Sequence, residues 1–109
     1  MTKAFETGHP VQLSAITSIA RTLGAPSVSE RTLAMAQMYL EKVILVSDAE
    51  AMAALQIILE RAKVLAEPAA SCTLAAAERL RERFRHFSVV VLVMCGGNVS
   101  IDDICRYKT

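Results

Sequence analysis

The stretch 89–98, VVVLVMCGGN, constrains this chain more than any other. Every residue from 89 to 94 is apolar, and most are valine. The run stops abruptly at Cys95-Gly96-Gly97-Asn98. A short, evenly apolar run closed by turn residues reads as a strand buried on both faces, as in a parallel sheet. The paired glycines read as a tight turn that also admits close approach of another group. Ligands of open α/β sheets bind at the carboxyl ends of strands, which is where Cys95 stands.

Helices that such a strand needs can be placed before and after it. Residues 1–12 contain Gly8, His9 and Pro10 and read as an irregular lead-in. Residues 13–23 read as a helix or as a loop with one helical turn, broken by Gly24-Ala25-Pro26. Ser27-Val28-Ser29-Glu30 has the form of a capping box. The helix it opens is expected to run to about Leu40. Its apolar positions Leu33, Ala36, Met38, Tyr39 and Leu40 surround most of its circumference, which predicts a well-covered helix. VILV at 43–46 reads as a second β-branched strand. Ser47-Asp48-Ala49-Glu50 repeats the capping-box form. The next helix, 48–63, aligns Met52, Leu55, Ile58, Leu59 and Ala62 on one face.

Glu67-Pro68 opens a third helix, 68–85, because proline's missing N–H costs nothing in a first turn. Leu74, Ala77, Leu80 and Phe84 mark its inner face. On the outer face, Glu78 with Arg81 and Glu82 with Arg85 form i,i+3 pairs, so this Arg-rich stretch reads as a solvated surface. The strand at 89–94 and a short helix near 101–106 complete an α/β chain with at least two parallel strands. A pair of strands cannot form an independent sheet covered on both faces. The chain is therefore expected to be incomplete as a fold, or to assemble.

At 109 residues the chain is one domain or part of one. By size scaling it can bury about 65 % of its unfolded surface. Twelve Lys and Arg against 11 Asp and Glu leave a net charge of +1. That balance points away from nucleic acid and anionic membranes. Aromatic content of 5 % without tryptophan offers little for base stacking. Hydrophobic content is 53 %. Either some apolar surface meets the rest of a larger protein or another subunit, or alanine inflates the figure.

The 3 cysteines form no CxxC and leave one unpaired, which fits a reducing cytoplasm. The 2 histidines, His9 and His86, are isolated, so no metal site is expected. No apolar stretch reaches the roughly 18–20 residues of a membrane span. The N-terminus lacks the apolar core of a signal peptide.

Most enzyme signatures are missing. The 4 glycines, Gly8, Gly24, Gly96 and Gly97, cannot build a phosphate cradle, and no GxSxG elbow occurs. Lys3, Lys42, Lys63 and Lys108 lie outside any recognisable pocket motif. Glu67 and the Cys95-Gly96-Gly97-Asn98 turn remain, and would share one sheet edge if the strands are neighbours. The residues alone leave a second reading open: Glu67 as a helix-start charge, Cys95 as a small core residue, and Gly96-Gly97 as a bare turn.

The string from Val64 to Asp103 resembles the C-terminal part of fold-type II pyridoxal-phosphate enzymes. It is most similar to serine/threonine dehydratases, with serine racemase a near relative. Two motifs carry the resemblance: Glu67-Pro68-Ala69-Ala70 opening an Ala-rich helix, and the apolar strand ending in Cys95-Gly96-Gly97-Asn98. Upstream, Ser18-Ile19-Ala20 and VILVSDAEAM agree as well, so the resemblance spans nearly the whole chain.

The resemblance implies a partial three-layer parallel-sheet domain over 1–109, the C-terminal fragment of a dehydratase-like catalytic domain. It implies that Cys95 hydrogen-bonds the pyridine nitrogen of pyridoxal phosphate. Gly96 and Gly97 would let the backbone pass close to the ring, Asn98 would support the turn, and Glu67 would lie near cofactor and substrate. The family's Schiff-base lysine segment, of Ser-x-Lys-x-Arg type, and its glycine-rich phosphate loop do not occur in this sequence. The expectation is thus part of a cytoplasmic ammonia-lyase acting on a hydroxy amino acid, inactive and without bound cofactor when alone. Its partner would be the remainder of the enzyme or a second copy. The alternatives are a non-catalytic assembly or split-subunit module, and an unrelated small-molecule binding domain sharing the GGN turn.

Overall fold

A computed structural model describes residues 1–107; Lys108 lies outside them. The chain divides into two compact units, 1–45 and 46 onward.

In the first unit the expected irregular lead-in is instead a helix, α1 (Thr2–Thr7). Gly8 ends it in the left-handed region (φ 79), and the Gly8 N–H closes on the Ala4 carbonyl at 2.9 Å. This short helix is held by packing on α2 (Glu30–Tyr39), with Ala4 buried, rather than by its own propensity. The region 13–23 contains a single 3₁₀ turn, Arg21–Leu23. The cap of α2 is Ser29, not Ser27: its Oγ accepts the Thr32 N–H at 3.1 Å. Only Leu33 and Ala36 of α2 are buried. Met38, Tyr39 and Leu40 are exposed, against the expectation of a well-covered helix.

The second unit is built on α3 (Asp48–Ile57) and α4 (Pro68–Arg79), which pack along each other. The Ser47 capping box forms as expected: the Glu50 N–H donates to Ser47 Oγ at 3.2 Å and the Ser47 N–H to Glu50 Oε2 at 2.7 Å. Glu50 also receives a bidentate guanidinium from Arg79, at 2.6 and 2.7 Å. The start of α3 is thereby tied to the end of α4.

Small residues let the two helices approach. Ala51, Ala54, Ala70 and Ala75 are buried, and Ser71 Oγ lies 2.7 Å from the Ala51 carbonyl and 2.8 Å from the Pro68 carbonyl. Leu55, Ile58, Ala66 and Ala70 form the core, with Met52, Leu59, Leu74 and Ile104 packed on it. Ile104 docks the last helix, α6 (Ile101–Tyr107).

The helix expected at 48–63 changes geometry at its end. Residues Ile58–Ala62 form a π turn, and Lys63 stops it with φ 58. The helix expected at 68–85 breaks at Leu80 (φ −96, ψ 9), and α5 (Arg81–Phe84) follows. Its inner face centres on Ala69, Ala70, Ser71 and Ala75, while Leu74, Ala77, Leu80 and Phe84 are only half-buried. The expected Glu82–Arg85 pair forms at 2.9 Å.

Neither 43–46 nor 89–94 forms a strand; among the described residues there is none. A strand exists only when its N–H and C=O groups pair in a ladder with another segment. Yet exposure along the second run alternates, 75 % at Val89, 41 % at Val90, 78 % at Val91 and 38 % at Leu92. That is the period of extended chain. Apolar side chains stand in solvent on both of its faces.

Candidate functional site

The two motifs singled out in the sequence meet in the second unit. Lys63, in the left-handed region, turns the chain out of the π turn and toward α4. Ala66 drops into the core and Glu67 follows as the N-cap of α4. The Glu67 carbonyl accepts the Ala70 and Ser71 N–H groups at 3.0 and 3.2 Å, opening the helix. Pro68 at the first helical position has no N–H to satisfy. The Glu67 side chain makes no capping hydrogen bond, although it is 9 % exposed and sits at the helix start.

Instead the carboxyl group lies against Gly96. The Glu67 N–H donates to the Gly96 carbonyl at 3.1 Å. A Cβ built on Gly96 would overlap the Glu67 carboxylate, standing 2.7 Å from Cδ and 3.2 Å from Cγ. A Cβ on Gly97 would come within 3.2 Å of the Leu65 carbonyl oxygen. Segments 65–67 and 96–97 are thus in close contact along their backbones.

The turn that follows is short. The Val99 N–H reaches the Gly97 carbonyl at 2.8 Å, a three-residue turn centred on Asn98. Ser100 then caps α6: its Oγ accepts the Asp103 N–H at 3.1 Å, and Asp103 Oδ2 accepts the Ser100 N–H at 3.1 Å. This second reciprocal cap was missed in the sequence. The Ser-x-x-Asp spacing carries the signal, and it fixes how the chain leaves the glycine pair.

Of the predicted site residues, Glu67 and Gly96 are brought into contact and Gly97 lies against Leu65. Cys95 and Asn98 flank them and are exposed. Cys72, one turn into α4, is a different kind of thiol. Burial first, and then the Asp48 charge, push its pKa up, and its Sγ lies 3.3 Å from the Pro68 carbonyl. Both causes disfavour its thiolate. Lys3, Lys42 and Lys63 are exposed. Among the described residues no three His, Cys, Asp or Glu side chains gather as a metal site. Nor is any helix there long and apolar enough to cross a membrane.

Residues 1–96 match the family model of pyridoxal-phosphate dependent enzymes, so Glu67, Cys95 and Gly96 all lie inside the match. The chain is 40 % identical over 103 residues to a serine dehydratase-like protein of Mus musculus, covering 87 % of this chain and 31 % of that protein. To the phenylserine dehydratase of Ralstonia pickettii it is 32 % identical over 108 residues, covering 98 % of this chain and 33 % of that one. The solved structure of maize serine racemase superposes with a TM-score of 0.79 at 25 % identity, covering 98 % of this chain and 35 % of that one. The chain spans about a third of the length of the curated relatives it matches. Its fold is therefore part of the larger fold-type II domain. With its length matched at both levels, the chain belongs to the pyridoxal-phosphate-dependent enzyme family, among relatives that are serine and threonine dehydratases and serine racemases.

Proposed function

We propose that these residues form the C-terminal part of the cofactor domain of a serine/threonine dehydratase, and that they are catalytically silent by themselves. The observation that carries this is the contact between Glu67 and Gly96, which joins the EPAA and CGGN motifs. The coverage of about a third of each relative supports the partial domain. So do the apolar faces of 89–94, which would be buried if neighbouring strands came from outside these residues.

The donor set fits pyridoxal phosphate. Cys95 would place a neutral thiol, a weak donor, at the ring nitrogen. A neutral partner leaves that nitrogen largely unprotonated. Gly96 and Gly97 would keep the backbone low beside it, and Asn98 would hold the turn. When bound, the cofactor supplies the electron sink that favours β-elimination from a hydroxy amino acid to a 2-oxoacid and ammonia. The Glu67 carboxylate, an acceptor lying against Gly96, would hold or orient a proton there. The lysine segment and the glycine-rich phosphate loop would come from the remainder of the enzyme.

The test is to incubate the chain with pyridoxal phosphate and serine or threonine. No 2-oxoacid is expected; sustained oxoacid formation would refute the silent-part reading.

A second reading rests on the same exposed surface. Val89, Val91 and Val93 leave large apolar side chains in solvent, which suits a non-catalytic module that pairs with another chain. Sedimentation discriminates: a stable oligomer with no affinity for pyridoxal phosphate in any assembly favours the module.

A further inference from the structure

The paired glycines have a second use that their place beside a cofactor does not explain. Glycine is demanded by the backbone only where φ is positive. Among the glycines that is true of Gly8 alone. At Gly96 and Gly97 any residue could adopt the backbone, so the requirement is for space. That space is taken by this chain itself. A methyl at 97 would press on the Leu65 carbonyl oxygen at 3.2 Å, so that backbone would have to give by a few tenths of an ångström. A methyl at 96 would fall on the Glu67 carboxylate and 3.2 Å from its Cγ.

The Glu67 backbone has little freedom to withdraw. Its N–H is held by the Gly96 carbonyl, its own carbonyl by the first amides of α4, and the residue is 9 % exposed. Only the end of the side chain can move. The carboxylate lies over the bare Cα of Gly96.

We propose that Gly96 is a positioning residue for Glu67: its missing side chain is the seat of the carboxylate, one residue along the chain from Cys95. The catalytic meaning of this rests on the function proposed above; the seat itself does not. Gly96 and Gly97 then differ in role. Gly97 permits chain packing, whereas Gly96 sets the direction of a carboxylate. Substituting Gly96 moves that group without altering the Cys95 thiol.

The test uses the full chain without cofactor. Gly96→Ala is expected to shift the Glu67 ¹³Cδ resonance, and Gly97→Ala to leave it in place. Gly96→Ala should raise the unfolding constant by on the order of tenfold, an overpacking cost. In the Glu67→Asp background, where the shorter side chain withdraws from the seat, the same change should cost less than about threefold. An unfolded Gly96→Ala chain that regains its structure on adding Glu67→Asp supports the proposal equally. Equal cost in both backgrounds, or an unmoved ¹³Cδ resonance in folded Gly96→Ala, overturns it. Neither measurement needs turnover, so failure of the dehydratase reading leaves this result standing, and the reverse holds too.

Discussion

Glu50 shows how one carboxylate can serve two structural tasks. Its oxygens accept the Ser47 N–H and the Arg79 guanidinium together. Arg79's hydrogen bonds first, and then those from Ser47, hold its pKa near 2 against an ordinary 4.5. A carboxyl whose pKa is lowered on folding contributes stability above its unfolded value and loses it as pH falls toward the folded one. The contribution should therefore disappear between about pH 4.5 and 2. Glu50→Gln should flatten the pH dependence of the urea midpoint in that window, and salt should weaken the effect because both partners are half-exposed. An unchanged slope would show that the pair is idle. The cap was legible in the sequence because Ser47-Asp48-Ala49-Glu50 contains all its members. Arg79 was not, because its partner lies on another helix. Glu67 is the same case: its position before Pro68 is local, but its contact with Gly96 depends on how α4 and the turn pack.

At the scale of elements, the helices followed the sequence where caps and burial agreed, and departed where packing decided. The start of α2 moved from Ser27 to Ser29 because either serine can cap and the fold selects one. α1 was missed because a helix this short has no stability of its own and is held by Ala4 against α2. The end of α3 became a π turn closed by Lys63 at φ 58. A non-glycine residue there carries a penalty, so Lys63→Gly should stabilise the chain by about 0.5–1 kcal/mol in urea titration; a loss of stability would mean that the lysine side chain has a structural role. Leu55, fully buried between α3 and α4, is the opposite case. Leu55→Ala should cost about 2–5 kcal/mol, and calorimetry can read it. The expected strands at 43–46 and 89–94 were legible as apolar runs but not as ladders, because pairing is a property of two segments and the sequence displays each alone.

For the whole molecule, the exposed run at 89–94 is the feature most at odds with a self-sufficient fold. Side chains buried on neither face contribute little, so Val91→Ala should change the stability of the chain by less than about 0.5 kcal/mol. The same substitution in a molecule that supplies flanking strands should cost about 1–3 kcal/mol, as for a core valine. Equal effects in both settings would remove the argument that these faces await cover. The family was legible because its two motifs are compact strings, whereas the contact between Glu67 and Gly96 joins segments distant in the sequence.

The most direct measurement joins these residues to the N-terminal two-thirds of the mouse serine dehydratase-like relative and compares the chimera with its Cys95→Ala variant. The account predicts a chimera that binds pyridoxal phosphate and releases 2-oxoacid from a hydroxy amino acid. It predicts that the alanine variant binds the cofactor roughly tenfold more weakly, the loss of one buried hydrogen bond. A folded chimera whose cofactor affinity and turnover ignore Cys95→Ala would contradict it.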